Sequence, residues 1–181
     1  GFMRVTSFMH HFLLKHCDSN AIVCDLTLGN GNDALFCLQH FKHVYAFDIQ
    51  AIAIVRATLK CENYPNKDFY CLDHSQLDTV LNTNVDIVIM NNGYLPNSET
   101  SITTEMKSSI TALDKSIQLL NPNGYLCITL YRKHEGGIEE YEGIMNFLNQ
   151  NKKLRMIQSY TYDNDDLAPV LTIFQKIDER S

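Results

Sequence analysis

Apolar positions along the chain follow two rhythms. Short runs rich in β-branched and aromatic residues, at 21–26, 43–47, 67–71, 85–90 and 125–131, predict buried strands. Between them, apolar residues recur at helical spacing over 6–16, 32–40, 50–63, 75–81 and 105–120. Tyr64-Pro65-Asn66 reads as a turn, and Asn121-Pro122-Asn123-Gly124 as the stop of the long helix before it. Strands alternating with helices predict a parallel α/β sheet covered by helices on both faces. A helix over 138–149 then leads to strands at 154–161 and 170–176. Only a short polar stretch, Asp163-Asn164-Asp165-Asp166, separates these two, too little for a crossover helix, so they are expected to run antiparallel. The expectation is one domain over 1–181: a Rossmann-like sheet of five parallel strands and a C-terminal antiparallel pair.

The chain is organised around Val23-Cys24-Asp25-Leu26-Thr27-Leu28-Gly29-Asn30-Gly31-Asn32-Asp33, a buried strand, a glycine turn and a helix start. Gly29 and Gly31 permit positive φ and close approach of a ligand to the backbone. Asp48 ends the second strand, where an acid can hold ribose hydroxyls, and Ile49 and Gln50 follow it. Gly29-x-Gly31-x-x-Ala34 fits a dinucleotide fingerprint, but Asp25 and Asp33 would repel a diphosphate. They suit a ligand that joins an adenosine ribose to a cationic amino-acid tail, as S-adenosylmethionine does. A purely structural turn and a dinucleotide site remain the alternatives. The expected cofactor-binding set is Asp25, Thr27, Gly29, Asn30, Gly31, Asn32, Asp33, Asp48, Ile49, Gln50, Asp73, His74 and Asn91. Asp73 can accept from an adenine amino group or cap the next helix.

Length and composition narrow the class. The 181 residues, 45% hydrophobic and 20% charged, suit one globular domain, without the pattern of a signal peptide or a membrane span. The six cysteines form no C-x-x-C pair, which points to buried thiols in a cytoplasmic protein, and no metal site is expected. A net charge of −6 argues against general nucleic-acid binding and leaves room for a local basic patch.

Two loops at strand ends carry the candidate acceptor chemistry. Asn91-Asn92-Gly93-Tyr94-Leu95-Pro96 offers an amide to orient a nitrogen nucleophile and a ring to stack on its base, or it only shapes a turn. Arg132-Lys133-His134-Glu135-Gly136-Gly137 offers cations for phosphate and a histidine, or it is a solvated hinge. Asn91, Tyr94 and His134 are the candidate catalytic residues, and Tyr94, Leu95, Pro96, Arg132 and Lys133 the candidate substrate contacts. Lys152 and Arg155 are further candidates for phosphate, although a solvated charge run is the default for them. His10-His11 is expected to pack or face solvent, unless the first helix lies over the cofactor.

The segments VCDLTLGNGNDALF, VYAFDIQ, NNGYLP, SITT and YRKHEGGIEE stand in the order of a small bacterial methyltransferase family long labelled rRNA methylase, which the chain resembles over nearly its whole length. The resemblance rests on Asp25, Thr27, Gly29, Asn30, Gly31, Asp33, Asn91, Gly93, Tyr94, Leu95, Pro96, His134, Gly136 and Gly137. The chain departs from the pattern at Leu26, Ala34, Asn92 and Lys133, and Asn92 puts a polar group where an apolar one is usual. The resemblance implies the class I methyltransferase fold and S-adenosylmethionine as cofactor. It also implies methylation of the amino group of 5-aminomethyluridine at the tRNA wobble position, with the anticodon loop as partner. A homodimer is one possible assembly, and the sequence does not set the oligomeric state. An rRNA or small-molecule methyltransferase, a nicotinamide-dependent oxidoreductase and a non-catalytic RNA-binding protein are the rival readings.

Overall fold

The computed structural model describes residues 4–92, 102–132, 137–161 and 168–180. Its sheet has seven strands in the order β3-β2-β1-β4-β5-β7-β6. The strands are β1 (Ile22–Asp25), β2 (His43–Asp48), β3 (Lys67–Cys71), β4 (Val85–Asn92), β5 (Leu120–Leu130), β6 (Leu154–Thr161) and β7 (Val170–Lys176). The first five pair in parallel, while β7 pairs antiparallel with both β5 and β6. This is the arrangement expected from the sequence, antiparallel pair included.

Alternation along the central strands builds two cores. Val23, Ile87, Ile89, Cys127 and Ile173 face α1 (Val5–His16), α2 (Asn32–His40) and α3 (Ala51–Lys60). Cys24, Val88, Met90, Leu126, Ile128 and Phe174 face α4 (Ile102–Leu119) and α5 (Gly137–Asn149). Helix α1 buries Val5, Met9, Phe12 and Leu13, one helical stripe. Its Phe8 stacks on Tyr160 of β6 with ring centroids 4.1 Å apart.

Two elements differ from the expectation. The predicted helix at 75–81 is a 3₁₀ segment, His74–Thr79, held at its start by the Asp73 side chain and kinked at Gln76. Helix α4 stops at Leu119, as expected, but β5 begins at Leu120 and not at Tyr125. Leu120 already pairs with Val85, and the ladder resumes at Tyr125 opposite Ile87, so Asn121–Gly124 bulge out of a continuing strand. Asn123 takes a left-handed φ of 69° there. The turn chemistry was present, but the neighbouring strand kept the chain in the sheet. No described helix is long and apolar enough to cross a membrane, and the described residues bring no three His, Cys, Asp or Glu side chains together to hold a metal.

Candidate functional site

Strand β1 ends between β2 and β4, so the chain that leaves it is pinned from both sides. Leu26 N–H donates to Ile89 O at 2.8 Å and Leu28 N–H to Phe47 O at 2.9 Å. The turn then passes through Gly29 (φ 53°) and Gly31 (φ 82°), and Gly31 caps α2. A Cβ on Gly31 would lie 3.0 Å from Ala57 Cβ, so left-handed backbone and close packing on α3 both demand glycine. Asn30 Oδ1 accepts from Asn32 N at 3.1 Å, and Asn32 Oδ1 accepts from Lys60 Nζ at 2.8 Å. These two side chains shape the turn and its seat on α3.

Three carboxylates gather at this turn. Asp48 grips its two sides: Oδ2 accepts from Gly29 N–H and Oδ1 from Gln50 N–H, each at 2.9 Å, and each oxygen keeps a lone pair for a ligand hydroxyl. Ile49, between them, is 64% exposed and offers an apolar surface beside that carboxylate. Asp25 is 1% exposed; its Oδ1 accepts from Thr27 N at 3.0 Å, and its Oδ2 has no partner among the described residues. Burial, with Asp33 and then Asp48 adding repulsion against the Thr27 hydrogen bonds, pushes the Asp25 carboxyl up to about 8. Asp33 Oδ1 meets His10 Nε2 at 2.8 Å, and the His10 ring lies flat on Phe36 at 3.9 Å. So α1 does reach the site, through a histidine for which the sequence favoured packing or solvent.

A buried carboxyl oxygen lacking a donor, with two more carboxylates nearby, fits a cationic ligand group and disfavours a phosphate. Asp48 thus keeps acceptor capacity for hydroxyls, and Asp25 Oδ2 lacks a donor among the described residues.

The far wall is built after β3. Asp73 Oδ1 accepts from Ser75 N–H at 2.8 Å and from Ser108 Oγ at 2.7 Å. Burial raises this carboxyl, but these hydrogen bonds and nearby His74 hold it below the usual range. The capping role is therefore realised. His74 Nδ1 donates to Leu26 O at 2.8 Å, which assigns the proton to Nδ1, and burial lowers the ring's pKa. His74 thus holds the end of β1 as a neutral imidazole.

At the end of β4, Asn91 N–H donates to Thr27 Oγ1 at 2.7 Å, and the Asn91 side chain hydrogen-bonds Tyr131. Tyr131 is pushed up by burial and by Asp33, with Asn91 opposing. Asn92 points to the opposite face, where its Nδ2 donates to Glu140 Oε1 at 3.0 Å and Ser109 Oγ at 3.3 Å. The Arg132 guanidinium sits 5.2 Å from the Tyr141 ring centroid, and its buried Nε has no partner among the described residues. Gly93, Tyr94, Leu95, Pro96, Lys133, His134, Glu135 and Gly136 lie outside the described residues.

The suggested phosphate contacts do not form one patch. Arg155 pairs in register with Gln175, which faces Tyr125 at the start of the β5 ladder, whereas Arg132 follows Leu130 at its far end. From Tyr125 to the end of β5 at Leu130 is five residues of strand, about 17 Å, and Arg132 lies two residues beyond. Arg155 donates to Gln175 Oε1 at 3.0 Å. Of the side chains around the site, Tyr131 and Ser108 escaped sequence reasoning, and His10 was singled out only with a place near the cofactor as the alternative to packing or solvent. His10 sits on the α1 face toward Asp33, and Tyr131 directly follows the end of β5, a position the strand-end rule could have flagged.

The family model described as "Putative rRNA methylase" matches residues 44–175. The chloroplastic tRNA (mnm(5)s(2)U34)-methyltransferase of Arabidopsis thaliana is 35% identical over 163 residues, 81% of this chain and 60% of that protein. The chain therefore spans 60% of the length of this curated relative. The crystal structure of a putative rRNA-methylase from Clostridium thermocellum superposes with a TM-score of 0.87 at 29% identity, covering 98% of this chain and all of that one. A putative methyltransferase from Streptococcus mutans, solved in complex with S-adenosylhomocysteine, gives 0.83 at 28% identity, covering 98% of this chain and 100% of the other.

Proposed function

The chain belongs to the rRNA methylase family, and on that premise we propose that it is an S-adenosylmethionine-dependent methyltransferase of tRNA, a single catalytic domain that methylates the aminomethyl nitrogen of 5-aminomethyl(-2-thio)uridine at the wobble position. One observation carries the cofactor assignment: buried Asp25, its Oδ2 without a partner among the described residues, in the company of Asp33 and Asp48. That is a seat for an ammonium and a sulfonium, with Asp48 for the ribose. Similarity to the Arabidopsis tRNA methyltransferase supports the acceptor. The six free thiols fit a reducing compartment such as the cytoplasm.

When bound, the cofactor supplies a methyl group activated by its sulfonium. The protein's own residues do the rest. Gly29 and Gly31 let the backbone approach the ligand, Asp48 holds the ribose hydroxyls, and Asp73 and His74 bound the adenine side. Asn91, tethered to Tyr131, presents its amide to the acceptor amine, and Tyr94 stacks on the uridine. An alkylamine is mostly protonated at neutral pH, so its proton must leave before attack; His134 is the residue we assign to receive it. Leu95 and Pro96 shape the acceptor pocket, and Arg132 and Lys133 meet phosphates beside it. An unpaired anticodon base reaches such a pocket without melting a helix, which suits an acidic chain.

The test offers the protein and labelled cofactor to tRNA bearing 5-aminomethyluridine, to unmodified transcript and to rRNA. Nucleoside mass spectrometry should find one methyl gained on the aminomethyl nucleoside alone. Methylation of rRNA or of the unmodified transcript would refute this acceptor, and stabilisation by NAD instead of S-adenosylmethionine would refute the cofactor.

A further inference from the structure

We propose that Asn92, Ser109 and Glu140 form a polar hub that positions the acceptor, separate from the cofactor site; the inference rests on the methyltransferase reading above. The last two residues of β4 serve opposite faces of the sheet. Asn91 joins Thr27 and Tyr131, while Asn92 turns its amide to Ser109 on α4 and Glu140 on α5, at 3.3 and 3.0 Å. Both partners are buried, Ser109 to 4% and Glu140 to 9% exposure.

This is also where the two helices touch. Gly143 leaves no room for a Cβ against Met106 Sδ, and Ser109 and Glu140 each stand one helical turn from that contact, on α4 and α5 respectively. Each helix follows one acceptor-side stretch: α4 comes after 93–101, which holds Tyr94, Leu95 and Pro96, and α5 after 133–136, which holds Lys133 and His134. The crossing of α5 is fixed further at Gly137, where a Cβ would meet Tyr131 O at 3.0 Å and Arg132 Cα at 3.1 Å. One amide therefore ties together the strand that carries Asn91 and the two helices that follow these stretches in the chain. A leucine would fill the space but fix no direction. Burying a carboxylate and two further polar groups in an apolar layer is costly unless they are mutually satisfied, and such a network holds one geometry. Asn92, Ser109 and Glu140 are positioning residues and touch no reacting atom.

The experiment measures methyl transfer to the tRNA acceptor and cofactor affinity side by side. In Asn92→Asp, two carboxylates face each other; kcat/KM for tRNA should fall at least about tenfold, as for a lost hydrogen bond to a charged group, while cofactor Kd stays within about twofold. Adding Glu140→Gln reverses the bond, with the new amide donating to the new carboxylate, and should recover most of the loss. Should Asn92→Asp fail to fold, Asn92→Leu carries the test, with kcat lowered and cofactor Kd kept. Wild-type transfer by both variants, equal losses of cofactor binding and transfer, or a folded double variant no better than Asn92→Asp would overturn the hub while leaving the function standing. Absence of transfer by the wild-type protein to any RNA would overturn both.

Discussion

Asp25 should make cofactor binding release a proton. Its carboxyl, pushed up to about 8 mainly by burial, is protonated in about nine of ten unliganded molecules at pH 7. An ammonium docked against Oδ2 favours the ionised form and lowers a carboxyl by roughly 1–3 units. Taking two units, about 0.8 proton leaves per ligand bound at pH 7, and affinity rises roughly fivefold between pH 6 and 7, about 1 kcal/mol. Calorimetry in buffers of different ionisation enthalpy reads the proton directly. In Asp25→Asn the release should vanish, which separates Asp25 from the nearby His10–Asp33 pair, and the affinity should become weaker and flat over this range. The same shift has a consequence for the unliganded fold. A carboxyl raised on folding binds more protons in the folded chain than in the unfolded one, so its contribution to stability is complete below about pH 4 and is lost as pH rises through about 8. Relative to Asp25→Asn, the melting temperature of the unliganded protein should therefore fall over that window. Observed enthalpies that do not depend on the buffer at pH 7 would show that no cation meets Asp25.

Two further outcomes follow from the same turn. Asp48→Ala removes the acceptor for Gly29 N–H, Gln50 N–H and the ribose, and should weaken cofactor binding by roughly 1.5–3 kcal/mol; unchanged affinity by calorimetry in a folded variant would remove the ribose assignment. Gly31→Ala forces a Cβ into left-handed backbone and against Ala57, and should lower stability by about 1–2 kcal/mol in denaturant unfolding. Ala57→Gly in that background should return only the part due to the contact, and full recovery would show that the backbone conformation costs little.

The sheet was legible because its signals are local. Apolar runs such as 85–90 announce strands, and the polar gap after Thr161 is too short to permit a crossover, which alone implied the antiparallel pair. The turn at Gly29 and Gly31 was legible for the same reason, since the residues that need positive φ are the residues that show it. What stayed hidden depends on partners distant in sequence. His10 lies 23 residues from Asp33, and Asn92 lies 48 from Glu140, so no window around either residue discloses the pairing. At Asn121–Gly124 the local stop signal did end α4, at Leu119, but it hid the start of β5 at Leu120, which the ladder offered by β4 decides.

The position of β7 between β5 and β6 has a bearing on how the chain is assembled. β7 pairs with β5 across 50 residues of sequence, Tyr125 opposite Gln175, and Phe8 of α1 finds its stacking partner in Tyr160 of β6. The earliest-made of these helices thus packs on one of the latest-made strands. During synthesis, β5 presents a bare edge and α1 an incomplete seat until residues past 170 have left the ribosome tunnel. Native structure should then appear in one late, concerted step. A nascent chain arrested before Val170 should stay sensitive to protease along its length, with the open edge of β5 as its point of self-association.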